Sequence, residues 1–179
     1  MLWQVTHWRL ALFGSRKQLP PRVRRHPTLI ERHAAQVADF DQWASAGNWQ
    51  AFHNHHYDWW AFPIDKPSSY AFAYTVYSDE IAQLQQDSAF MQRHRRGAQL
   101  LLLAWGWDCA ARAAVSDPAP GQAWAHWPIR LAKCARSMWL FGQAEELASV
   151  VEYAQVLKAR GESFEYDGRD VYGEIVELG

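Results

Sequence analysis

The densest set of side chains able to do chemistry is His53-Asn54-His55-His56-Tyr57-Asp58-Trp59-Trp60-Ala61-Phe62-Pro63. If residues 49–57 are helical, His53 and His56 stand one turn apart and converge on one side, and Asp58 is near enough to join them. That is the start of a metal site, and a metal-dependent hydrolase using His53, His56 and Asp58 is one reading of it. No Cys or Glu stands nearby to complete the set, and His94 and His126 would have to be brought in by the fold. The competing reading is structural. A His or Tyr at a helix end satisfies backbone groups, and the neighbouring aromatics pack together.

Other catalytic templates are absent. The sequence holds no Gly-x-Ser-x-Gly, no Gly-rich phosphate loop and no His-Glu-x-x-His. Cys109 and Cys134 lack metal-ligand spacing, and Cys134 falls in an Ala-rich helical stretch, where a buried structural thiol is expected. No cofactor is implied. A second kind of chemistry is offered by cations. Arg130, Lys133 and Arg136 recur every third residue, forming a basic stripe that is either a solvated face or a contact for an anion or acidic peptide. Arg93, Arg95 and Arg96 form a further cluster.

Charge is unevenly spread. Residues 1–34 carry seven Arg or Lys against Glu31, a net +6, whereas residues 161–179 carry six acids against Arg169, a net −5. The basic arm can bind an external anionic partner or dock on the chain's own acidic end. Nucleic acid is an unfavoured partner, because residues 35–160 are near neutral and no recognition motif is present.

The elements that must position these residues read as helices. A hydrophobic fraction of 49% with 21% charged residues is the balance of a folded domain. Thr28 and Glu31 have capping-box spacing, with Ile30, Ala34, Val37, Phe40 and Ala44 as the buried stripe of the helix they open. Gly47-Asn48 ends it, and Asn48 is placed to cap a helix from 49 to about 57. Pro63 and Pro67 then impose an extended segment, in which residues 70–77 alternate with period two. Ser78 is placed to cap a short helix with Asp79 and Glu80 in its first turn. Asp87 or Ser88 opens the longest helix, to about Asp108, and Leu100–Leu103 makes it apolar all round. Residues 111–122 read as a loop, Pro128 starts a helix ending at Gly142, and a last helix runs from Gln143 to Arg160, closed by Gly161. The opening 14 residues lack the basic start and cleavage site of a signal peptide. The longest apolar stretch, Leu100–Trp107, is short of the roughly 20 residues of a membrane span. Few cysteines suggest a reducing, cytoplasmic setting. Eleven Trp residues suit either cores or recognition surfaces.

The stretch from Asn54 to Pro63 resembles the conserved N-terminal domain of the opioid growth factor receptor family, through Asn54, His55, Tyr57, Trp60, Phe62 and Pro63. Downstream features are similar in the same order: Asp79-Glu80-Ile81, the apolar Ala98–Trp107 with Trp105-Gly106, then Trp124 and Trp127, and the basic Lys133–Arg136 leading to Leu140-Phe141-Gly142. The likeness spans about residues 39–158. It implies a helical domain of receptor or peptide-binding type and carries over no catalytic residues.

These readings combine into an all-α fold, a single globular domain of five to six helices around a buried central helix. Residues 1–26 form a basic arm and linker, 27–161 the domain, and 162–179 an acidic tail. The leading function is a non-catalytic binding or receptor-like module for a peptide, protein or small anionic ligand. Its expected contact residues are His53, His56, Trp59, Arg130, Lys133 and Arg136. The alternatives are the metal-dependent hydrolase and a partner- or nucleic-acid-docking protein acting through the basic arm.

Overall fold

The computed structural model describes residues 26–67 and 72–179, with side chains from 29 onward. The basic arm, its Pro20-Pro21 linker and the start of the alternating stretch lie outside the described residues. Helix dominates. In chain order come α1 (His26–Ser45), α2 (Trp49–Asn54), α3 (Asp58–Ala61), α4 (Ser78–Gln86) and α5 (Ser88–Ala104). They are followed by β1 (Trp107–Asp108), β2 (Ala113–Ala114), α6 (Pro128–Leu140), α7 (Ala144–Ala159), β3 (Glu165–Tyr166), β4 (Arg169–Asp170) and α8 (Tyr172–Val176). The strands pair only as two short antiparallel hairpins, β1–β2 and β3–β4. The fold is thus predominantly helical rather than purely all-α, with eight helices among the described residues instead of five or six. None of those helices is long and apolar enough to cross a membrane.

The extra helices have local causes. The helix expected over 49–57 breaks at His55, whose backbone turns extended (φ −93°, ψ 152°). Both the His55 N–H (3.2 Å) and its ring Nδ1 (2.9 Å) meet the carbonyl of Ala51, sealing the end of α2. The chain re-enters a helix at Asp58. Capping also differs from expectation: α1 already begins at His26, two residues before Thr28. The Asn48 side chain makes no cap bond, and Ser78 is the first residue of α4 rather than its cap. At that end the Tyr77 N–H donates to the Glu80 carboxylate (2.9 Å).

Helix α1 buries Leu29, His33, Gln36, Val37 and Phe40. Val37 and Phe40 belong to the expected stripe, but Ile30, Ala34 and Ala44 are only half-buried. Two polar residues share the buried face: Gln36 Oε1 accepts from Trp60 Nε1 (3.0 Å), whereas His33 packs its ring 4.6 Å from that of Phe90 with neither ring nitrogen hydrogen-bonded among the described residues. Helix α5 is capped by Asp87, which accepts from the Phe90 N–H (3.0 Å). At 17 residues it is shorter than α1, at 20. Its expected face, Phe90, His94, Gly97, Leu101, Ala104 and Trp105, is buried throughout. Gly97 faces α1, where Val37 Cγ2 would lie at ordinary contact distance (3.4 Å) from a Cβ on it. The helix stops at Ala104, short of Asp108. Gly106 takes φ +79°, a Cβ on it would lie 3.2 Å from the Gln122 carbonyl, and Trp107–Asp108 leave to pair with Ala113–Ala114.

The segment between Pro63 and Ser78 forms no strand among its described residues. It makes one parallel bridge, Ile64 to Thr75, held by the Val76 N–H on the Ile64 carbonyl (3.0 Å). Pro128 occupies the first turn of α6, as its missing N–H allows. Beyond α7, the Asp167-Gly168 turn (φ +52° and +73°) closes a hairpin, the geometry that two-residue hairpin loops favour. Residues 162–179 are not a free acidic tail: Phe164, Val171 and Ile175 are buried in the same apolar cluster as Leu101, Leu131 and Val150. A smaller cluster gathers Leu29, Val76, Leu84, Phe90 and Phe141, and Trp60 packs against both.

Candidate functional site

The break between α2 and α3 turns the aromatic stretch inward. Tyr57 and Phe62 are fully buried, and the Tyr57 hydroxyl donates to the Phe52 carbonyl (2.7 Å). Burial raises the Tyr57 hydroxyl pKa above its ordinary value, with the nearby Arg130 charge opposing the shift. Pro63 is buried, and its carbonyl accepts from the Ser137 hydroxyl (2.9 Å). Asn54 and His55 remain exposed at the helix end, Asn54 accepting from Gln50 (3.1 Å) and His55 stacking at 4.7 Å on Trp43. Trp60 is half-buried, with Arg32 over its ring at 5.5 Å.

Helix α6 lies against this stretch and meets it with its basic stripe. Arg130 is only 2% exposed. Its guanidinium covers the rings of Tyr57 (4.8 Å) and Trp127 (4.4 Å) and donates to the Phe52 carbonyl (3.2 Å). Asp58, buried at the start of α3, accepts from Lys133 Nζ through Oδ2 and lies 3.8 Å from Arg130 Nε through Oδ1. Lys133 also stands 5.1 Å over the Trp59 ring. One turn on, Arg136 makes a bidentate pair with Asp65 (2.9 and 2.6 Å) and stacks on Trp139 at 4.5 Å. The stripe is therefore not a solvated face. Each of its cations is paired and laid on an aromatic ring.

A cleft of about 770 Å³ opens between this wall and the C-terminal hairpin with α8. His56, Trp59, Arg130, Lys133 and Arg136 all line it, so five of the six residues expected to contact a ligand share one concavity. His53 does not: its Nε2 bonds the Gly121 carbonyl (2.8 Å) on the loop before α6. The break at His55 separates His53 from His56, and Asp58 is committed to Lys133 and Arg130. Among the described residues, no three His, Cys, Asp or Glu side chains are grouped to hold a metal ion. His126 faces Glu162 (3.1 Å), and His94 is in the core. Both cysteines are free; burial pushes the Cys134 thiol well up and the Cys109 thiol up.

The opposite wall supplies Tyr166, Asp167, Arg169, Glu174 and Glu177, none picked out by spacing or motif. The excess of acids after residue 161 was the available signal, but their partners are Lys66 (3.5 Å to Glu174), Arg169 (2.6 Å to Glu174) and Lys158 (3.5 Å to Asp170). Asp65 was likewise invisible beforehand as the partner of Arg136. Ile64, Pro67, Ile129, Ala132 and Leu178 also line the cleft. Such a mixture of apolar surface and a few convergent charges is typical of small-molecule sites. Among the described residues, no Ser, Thr or Cys lines the cleft.

Compared with protein-family models, with curated proteins and with solved structures, the chain matches none.

Proposed function

We propose that the protein is a non-catalytic binding module whose ligand occupies the cleft between α6 and the C-terminal hairpin. The observation that carries this reading is the convergence of His56, Trp59, Arg130, Lys133 and Arg136 on one cavity of about 770 Å³. That size is within the roughly 300–1,000 Å³ range of ligand pockets. The aromatic and cationic side chains are already fixed by ion pairs and ring contacts, which lowers the ordering cost of binding. The proposal includes α5 as the central helix of the domain and a reducing, cytoplasmic setting for the two free cysteines. A relationship to the opioid growth factor receptor domain is part of it too, carried by the residues from Asn54 to Pro63.

The test is a titration of the protein with a library of charged and aromatic fragments, followed by the indole N–H resonances of Trp59 and Trp127. Saturable shifts at these two signals are expected, and in Trp59→Ala the shift of the remaining Trp127 signal should be lost. That variant should keep its unfolding transition within about 1 kcal/mol of the parent, because Trp59 lines the open cleft and, unlike Trp60, packs against neither apolar cluster. Saturable binding only at other tryptophans, or none at all, would overturn the assignment.

A further inference from the structure

The cleft's charges are segregated, and the segregation specifies a kind of ligand. On the wall made by α3, the segment after it and α6 stand Lys66, Arg130, Lys133 and Arg136 with Asp58, while Asp65 pairs with Arg136 and Lys66 reaches Glu174 of the facing wall. Asp58 is one carboxylate shared by two cations, Lys133 and Arg130, so this part of the wall keeps a surplus of positive charge. The facing wall is the reverse. Asp167, Glu174 and Glu177 stand there with Arg169. Glu174 is satisfied by Arg169 (2.6 Å) and by Lys66 (3.5 Å), but Asp167 and Glu177 form no ion pair among the described residues. Ile64, Ile129, Ala132 and Leu178 give the cleft its apolar lining.

From this, resting on the cleft being the binding site, we propose that the ligand is bipolar. It carries a carboxylate or similar anion at one end, an ammonium or similar cation at the other, and an apolar spacer between them. The anionic end is directed to Lys133 and its neighbours, the cationic end to Asp167 and Glu177, and the spacer covers the apolar side chains that line the cleft with Trp59 and Trp127. A purely anionic ligand would meet the uncompensated acids of the facing wall, and a purely cationic one the surplus of the α6 wall. Like-charge contact of that kind is what excludes wrong partners. Only a molecule with both charges gains at both walls.

The experiment uses the full chain and straight-chain ω-amino carboxylates of increasing length, with alkyl carboxylates and alkylamines of matched length as singly charged controls. Binding is read by the Trp59 and Trp127 resonances. Affinity is expected to pass through a maximum with chain length, at the span of the cleft. Removing either charge at that length should weaken binding about tenfold or more, the effect of one lost charged hydrogen bond. Glu177→Gln, an exposed position whose change leaves the fold intact, should weaken the amino carboxylate and the alkylamine but not the alkyl carboxylate. If a singly charged control binds as tightly as the matched zwitterion, the cleft is a site but the bipolar assignment is wrong. If neither these series nor the fragment library shifts the two resonances saturably, the assignment of the cleft as a binding site falls with it.

Discussion

Two groups of buried polar side chains stand on opposite sides of the aromatic stretch, and they are made tolerable in opposite ways. Between α1, α5 and α6, the rings of His33 and His94 lie 5.8 Å apart among Phe62, Phe90 and Phe141. Here charge is shed. Burial, with the nearby Arg93 charge adding to it, drives the His33 pKa down to about 3, and burial drives that of His94 well below its usual value. The Ser137 hydroxyl donates to Pro63, so it must accept from His94 Nε2 (2.8 Å), which fixes the proton on Nε2 of a neutral ring. On the cleft side, Asp58 and Arg130 are buried nearly as deeply and Lys133 is half-buried, but they are held by mutual pairing and aromatic faces. The neutral pair serves packing. The paired charges sit at the edge of a cavity, where a field can act on a ligand.

The sharpest way to break this contrast is to remove the shared carboxylate. Asp58→Ala leaves Arg130 buried without its counter-charge, and an uncompensated buried charge typically costs about 3–5 kcal/mol. Chemical denaturation should show that loss, and Asp58→Asn, which keeps the shape, should recover part of it. A loss below about 1 kcal/mol would mean that water reaches Arg130 and that the network is a surface feature.

Trp60→Ala comes next. The indole packs against both apolar clusters and donates to Gln36, so truncation should cost about 3 kcal/mol, near the low end for large aromatics because the ring is half-buried. A midpoint as little changed as that of Trp59→Ala would make Trp60 part of the exposed surface rather than the packing device between the clusters.

Acid separates the two polar groups directly. A histidine whose folded pKa is depressed stabilises the fold fully above its unfolded value near 6.5, and that contribution is lost as pH falls toward the folded value. For His33, the loss should reach about 2 kcal/mol by about pH 5. His94 should add to it in the same direction. Denaturation midpoints measured between about pH 7.5 and 5 should therefore fall, and His33→Leu should flatten the dependence. An unchanged slope in His33→Leu would show that the imidazole titrates freely.

Much of this was legible from local pattern. The period of three and four in residues 88–105 placed α5's buried face, Pro128 and Gly142 bracketed α6, and the spacing of Arg130, Lys133 and Arg136 marked the stripe that lines the cleft. What escaped depends on contacts distant in sequence. His55 halts a helix that propensity would continue, because its backbone N–H and ring both meet Ala51. His33 and Gln36 are buried because α5 and Trp60 come to meet them, and Asp65 matters only once α6 lies beside it. The acidic residues after 161 read as a tail because Phe164 stands seven residues from Val171, and the single four-residue step from Val171 to Ile175 is too short a pattern to mark a helix.

The smallest expected effect draws the boundary most finely. His56 and Tyr57 are adjacent, yet Tyr57 is sealed under Arg130 while His56 is exposed, its ring 6.0 Å from that of Trp59. An exposed imidazole with only that ring contact among the described residues contributes little to folding, so His56→Ala should move the denaturation midpoint by less than about 0.5 kcal/mol. It does line the cleft, so the same substitution should alter the affinity of the best ω-amino carboxylate, measured by the Trp59 resonance. Stability and binding thus part company at one peptide bond. If His56→Ala instead costs about 2 kcal/mol or more, the ring belongs to the packing of α3, and the edge of the binding surface has to be redrawn at Trp59.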